Sequence, residues 1–223
     1  NPAQYAFRQL NARELEKKGM TAREWCKTYE LIGGINAGMF QADYQTHAGY
    51  MKNSGHIHNA GISTSYMSAL AFDPAVPNVD KIRIFDLDEI ALSDVAKQYH
   101  TVIQNLRLIK RPRENKWSPQ KKTWSEAALG QDKDGNVLFI FSRSPYSMYD
   151  FNKIMLALPI NIVSAQHLEG GAQASLYFSH KGIEIEEQGC IQQDCSPDAL
   201  EGGWRIPNIL GFYKTTNDQG RMP

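Results

Sequence analysis

The chain has 223 residues, 42% of them hydrophobic, with 24 Lys and Arg balanced by 24 Asp and Glu, a pI near 7.2 and a mean hydropathy of -0.47. This is the composition of a globular chain with enough apolar mass for one core and a single domain over residues 1–223. Zero net charge excludes a field that would gather nucleic acid or anionic lipid, and no apolar run approaches the roughly 20 residues of a membrane helix, so neither a nucleic-acid partner nor a membrane span is expected.

The chain opens Asn-Pro-Ala-Gln without a basic-then-apolar leader, and the expectation is that a targeting segment is missing. Two capping-box patterns follow, Asn11-Ala-Arg-Glu14 and Thr21-Ala-Arg-Glu24, which predict two short helices and a helical segment over residues 1–30. Cys26, beside Trp25 in the second, reads as a small buried hydrophobe. Leu31 to Phe40 is an apolar run with three glycines and Asn36, a buried strand whose backbone meets another chain or ligand closely. Residues 43–64 carry neither helical nor strand period and read as a long loop with strand pieces, of the kind that serves function.

Ile82–Phe85 alternates as a strand, and Leu92–Gln98 reads as a helix opened by Ser93 that passes into the apolar stretch to Ile109. Residues 107–122 turn basic, with Arg107, Lys110, Arg111, Arg113, Lys116, Lys121 and Lys122 opposed by Glu114 alone. That segment is either a solvated loop or a local attractor for an anion. Asp132-Lys-Asp-Gly135 then predicts a hairpin into the strand ending at Ser142. Ser144–Ser147 caps a helix with Phe151, Ile154, Met155 and Leu158 on one face, and Pro159 stops it. Ile160–Leu168 and Gln173–Phe178 read as strands joined by Glu169-Gly170-Gly171. Cys190 and Cys195 flank a short loop that can close as a disulfide worth about 2 kcal/mol. The fold class expected is α+β: a mixed, largely antiparallel sheet with helices packed on it.

Two carboxylates stand where chemistry is possible. Glu169 lies between an apolar strand and a Gly-Gly pair that lets a ligand approach backbone, and Glu126 precedes an apolar run where partial desolvation raises a carboxyl pKa. Arg143 ends a strand, where a guanidinium can hold a phosphate or carboxylate in bidentate fashion, or pair with one of these glutamates. His56 and His58 share a strand face and offer a weak metal option. Nucleophile-elbow, Walker and dinucleotide motifs are all missing from the sequence, and no metal or cofactor is expected.

Several ordered segments resemble the phosphodiester glycosidase family, its bacterial branch in particular: Ile35-Asn-Ala-Gly-Met-Phe40, Ala128-Leu-Gly130 with its Asp-Gly turn, Leu168-Glu-Gly-Gly171, and Trp204 to Gly211. The resemblance implies that Asn36, the Gly38 backbone, Glu126, Arg143, Glu169, Gly170, Gly171 and Asn208 surround one cleft, with Gln104-Asn105 as the remnant of a further motif. This chain departs from the family pattern in three places: Glu126 stands for an arginine, His167-Leu-Glu169 for Asn-Leu-Asp, and Gln104-Asn-Leu-Arg lacks the usual Gly-Pro. The implied activity is hydrolysis of a sugar-1-phosphodiester or related linkage of envelope or extracellular glycans, with Glu126 and Glu169 as acid and base in an order left open. The ligand is then a carbohydrate or sugar phosphate, and the setting periplasmic or extracellular. The alternative is a non-catalytic polysaccharide- or envelope-binding module that grips an acidic glycan.

Overall fold

The computed structural model describes residues 1–190 and 203–215. In chain order the elements are β1 (Tyr5–Asn11), α1 (Ala22–Thr28), β2 (Gly33–Asn36), β3 (Met51–Asn53), β4 (His56–Asn59), β5 (Ser68–Pro74), β6 (Ile82–Asp86), α2 (Leu92–Gln98) and β7 (Tyr99–Asn105). They continue with β8 (Arg107–Lys110), β9 (Glu114–Asn115), β10 (Trp124–Asp132), β11 (Val137–Tyr146), α3 (Met148–Ala157), β12 (Ile162–Gly170), a 3-10 turn (Gly171–Gln173), β13 (Ser175–His180), β14 (Ile183–Gln188) and β15 (Asn208–Lys214). The strands form three five-stranded antiparallel sheets, ordered β1-β15-β2-β13-β14, β11-β10-β12-β8-β9 and β4-β3-β7-β5-β6.

This corrects the expected fold class: the chain is mostly β, and no helix layer covers a sheet. The three α-helices among the described residues run only seven to ten residues, too short to be stable without the sheets they lean on. The core lies between sheets instead. Ile35 and Leu210 from the first, Leu129 and Leu168 from the second, and Met51, Leu70 and Ile103 from the third pack in one cluster.

The second capping box forms as read, with Thr21 Oγ1 accepting from Glu24 N and Glu24 Oε2 accepting from Thr21 N. The first does not. Asn11 belongs to β1, its Oδ1 turns back on Arg13 N at 2.9 Å, and Glu14 accepts from Asn53 Nδ2, so the N-terminal 30 residues are a strand, a turn and one helix. Helix α2 starts at Ala91 with no side-chain cap, so Ser93 is not its cap. In α3 Ser147 is the cap, while Phe151 and Met155 are buried and Ile154 and Leu158 are exposed.

The glycines of β2 are explained by this chain rather than by a ligand. A Cβ on Gly34 would stand 2.5 Å from Ile209 Cδ1 and 2.9 Å from Cys26 Sγ, so helix and sheet meet over bare backbone. Burial pushes the Cys26 thiol up to about 12, which makes it the inert hydrophobe expected. Cys195 lies outside the described residues, and with it the expected bridge from Cys190.

The basic 107–122 segment is largely neutralised by the molecule itself. Arg107 pairs with Asp86 at 3.3 Å and Asp88 at 2.8 Å, and Lys110 with Asp88 at 2.9 Å and Glu89 at 3.2 Å. Arg111 donates to Gln131 and Ser164, and Arg113 to the carbonyls of Ile162 and Leu156. Lys116 pairs with Glu114.

Candidate active site

Strands β10 and β12 run side by side with Ala127 opposite Glu169 and Ala128 opposite His167. The register slips between these pairs, which makes Leu168 the extra residue, its side chain in the core. On the other side of β10, Glu126 pairs with Ser142 and Trp124 with Tyr146, so residues 143–145 of β11 bulge opposite Ser125. Bulges of this kind re-aim side chains at sheet ends. They bring Trp124, Glu126, His167 and Glu169 into one neighbourhood, with Glu126, His167 and Glu169 all buried.

The contacts define a charge arrangement. His167 Nδ1 donates to Glu126 Oε1 in a buried ion pair, and Trp124 Nε1 donates to Glu126 Oε2 at 2.8 Å. Burial disfavours charge on the His167 ring, but the charge and hydrogen bond of Glu126, helped by the charge of Glu169, outweigh it and raise its pKa above the ordinary value. That hydrogen bond is made through Nδ1, which leaves Nε2 as the second donor of the protonated ring. Glu169 is pushed up to about 7, by burial first and with Glu126 adding to it, against the opposing effects of His167 and the Gly170 N–H. At neutral pH it therefore exchanges its proton readily. Tyr66 is also close by, its hydroxyl pKa raised by burial and by the Glu169 charge.

The remaining predicted residues make contacts of different kinds. Asn36 is buried, with Nδ2 donating to Gln173 O at 3.0 Å and Oδ1 accepting from Ser175 N at 2.7 Å, so it clamps the turn that follows Glu169. Asn105 Nδ2 donates to Ala37 O at 3.1 Å, and a Cβ on Gly38 would run into Asn105 and the His47 ring. His47 donates from Nε2 to Gln104 O at 2.9 Å, and burial pushes its pKa down to about 4. Gln104 secures the loop after β4 through Ser63 and Tyr66. Gly170 lies against Trp124, and Gly171 takes φ of +68°. Asn208, at the start of β15, is buried with neither amide atom partnered among the described residues. Arg143 is an exposed residue of the β11 bulge whose carbonyl accepts from Ser125 Oγ at 2.5 Å.

The rings of His56 and His58 meet edge to face with centroids 5.2 Å apart, and His58 Nε2 lies 3.1 Å from Glu14 Oε2. Among the described residues no group of three or more His, Cys, Asp or Glu is arranged to hold a metal, and no helix is long and apolar enough to cross a membrane. A groove of about 910 Å³ lies elsewhere, walled by residues such as Phe7, Gln9, Asn53 and Thr101, and neither glutamate lines it. The candidate site rests on its cluster of perturbed titratable groups rather than on cavity volume. Sequence reasoning missed His167 and Trp124 as members; the signal available was strand alternation, which puts each two residues from a glutamate already singled out.

The fold is β-rich, and it sets a carboxyl of raised pKa beside a buried glutamate–histidine pair. The particular family is given by the sequence profile of phosphodiester glycosidases, which matches residues 29–213: the chain belongs to that family. Among solved structures it is similar to the catalytic domain of zebrafish N-acetylglucosamine-1-phosphodiester alpha-N-acetylglucosaminidase, auto-inhibited by its pro-peptide, with TM-score 0.63 and 14% identity over 96% of this chain and 74% of that one. A hypothetical protein from Synechocystis is similar with TM-score 0.60 and 12% identity, covering 95% of this chain and 57% of that one. No curated protein sequence matches.

Proposed function

We propose that this phosphodiester glycosidase hydrolyses a sugar-1-phosphodiester, with Glu169 taking a proton from the attacking water and His167 stabilising the departing phosphate. The observation that carries this reading is the carboxyl of Glu169, with a pKa of about 7, beside the Glu126–His167 pair. A base is most effective when its pKa lies near the working pH. A phosphate monoester leaves readily, since its second pKa is about 6, so it needs a donor for its charge more than a strong acid. The imidazolium held by Glu126 is such a donor, and its Nε2–H is the hydrogen left for a phosphate oxygen. Glu126 is then the charge that keeps His167 protonated, a different task from the acid or base role expected of it from sequence. Asn36, Gly170 and Gly171 shape the turn beside Glu169.

The test is turnover on a panel of sugar-1-phosphate diesters. Glu169→Gln should fold as the wild type and lose about 10²–10⁴-fold in kcat, the usual worth of a positioned acid or base. Wild-type turnover in that variant, or no turnover by the wild type on any diester, would overturn the reading.

A further inference from the structure

The carboxylate of Glu126 has two oxygens with two different partners. Oε1 accepts from His167 Nδ1, and Oε2 accepts from the indole N–H of Trp124 at 2.8 Å. A carboxylate tied at one oxygen can still swing about its last side-chain torsion, which is broad and weakly restrained. Tied at both, it cannot. The indole is itself fixed: a Cβ on Gly170 would stand 2.7 Å from its Cδ1 and 3.1 Å from its Nε1, so glycine there is what lets the ring lie against β12. Lys122 Nζ stands 5.3 Å from the ring centroid, and the strand register places Trp124 opposite Tyr146 at the end of the β11 bulge.

We propose that Trp124 is a positioning residue of the reaction: its N–H locks Glu126 in the one orientation that presents His167 to the departing phosphate. The inference rests on the reading above and adds a residue that does not touch substrate. Small misplacements of a catalytic group are felt strongly in rate, with about 1 Å amounting to as much as 10²-fold. A phenylalanine at this position keeps an aromatic ring against Gly170 and loses only the donor, so it isolates the hydrogen bond from the packing.

The experiment compares wild type, Trp124→Phe and Glu169→Gln on the diester that the wild type turns over best. In Trp124→Phe, kcat should fall roughly 10- to 100-fold while KM stays within about threefold, because the indole binds no substrate. Proton NMR supplies a readout that needs no turnover. The His167 Nδ1–H should give a sharp far-downfield resonance in wild type that broadens or moves upfield in Trp124→Phe. Should the phenylalanine variant fail to fold, site-specific replacement of Trp124 by its benzothiophene analogue, the same shape with sulfur in place of N–H, gives the same comparison. Unchanged kcat and an unchanged resonance, with Glu169→Gln inactive, would overturn the role of Trp124 alone. An active Glu169→Gln would overturn the reading beneath it.

Discussion

Glu169 and His47 are buried groups whose protonation is set by the fold, and they pull stability in opposite directions. Glu169 is raised from 4.5 to about 7, so the native state holds its proton more tightly than the unfolded chain does. The stability it contributes is fully present below pH 4.5 and is lost as pH rises through about 7, amounting to roughly 3 kcal/mol by linkage. Glu169→Gln has no charge to bury, and in urea titrations it should exceed the wild type in stability at pH 8 by up to that amount, with little difference at pH 4.5. His47 is lowered from 6.5 to about 4. Its contribution is present above pH 6.5 and is lost as pH falls through about 4, so His47→Gln should unfold at lower pH than the wild type in an acid titration followed by circular dichroism. An acid midpoint identical in the two proteins would contradict the buried neutral ring. At this scale the sequence was half legible. The two glutamates stood out by their apolar and glycine neighbours, whereas the partner that charges the site, His167, is separated from Glu126 by 41 positions and meets it only through the β10–β12 pairing.

Local elements were legible where the signal was local. Thr21–Glu24 capped a helix, Asp132–Gly135 turned a hairpin, and Ser147 opened α3. Asn11–Glu14 carries the same capping grammar and forms no helix, because Asn11 is already paired to Asn208 across β1 and β15, a contact that no window of sequence contains. The turn after Glu169 is held in the same non-local way. Gly189 lies so close to Gly171 that a Cβ on it would collide with the Gly171 carbonyl, and it donates to Ala174 O at 2.8 Å. Backbone cannot yield as a side chain can. Gly189→Ala should therefore destabilise the protein by about 1–3 kcal/mol and lower kcat as the turn shifts; a variant with wild-type melting temperature and rate would show that this clamp does not matter.

The whole molecule was misjudged as helix on sheet because its sheets are assembled from distant strands, β1 with β15 and β2 with β13, while its helices, though predicted nearly in place, are too short to form a layer. What joins the three sheets is the shared cluster around Ile35, Leu129 and Ile103. A core common to all three should melt as one. Leu129→Ala should lower stability by about 2–5 kcal/mol, with secondary-structure and aromatic circular dichroism changing together; transitions that separate would contradict a single core. The same assembly sets β2, whose Asn36 holds the turn after Glu169, near β10 and β12, which carry the candidate site.

The pH dependence of kcat/KM on a sugar-1-phosphodiester tests the central claim most directly, since it reports ionisations of the free enzyme. With Glu169 as base and the His167 imidazolium as donor, the wild-type profile should rise through about pH 7 and fall again as His167 loses its proton above its ordinary value, and Glu169→Gln should lose the rising limb. A profile that only falls with pH, or that keeps its rising limb in Glu169→Gln, would contradict the account.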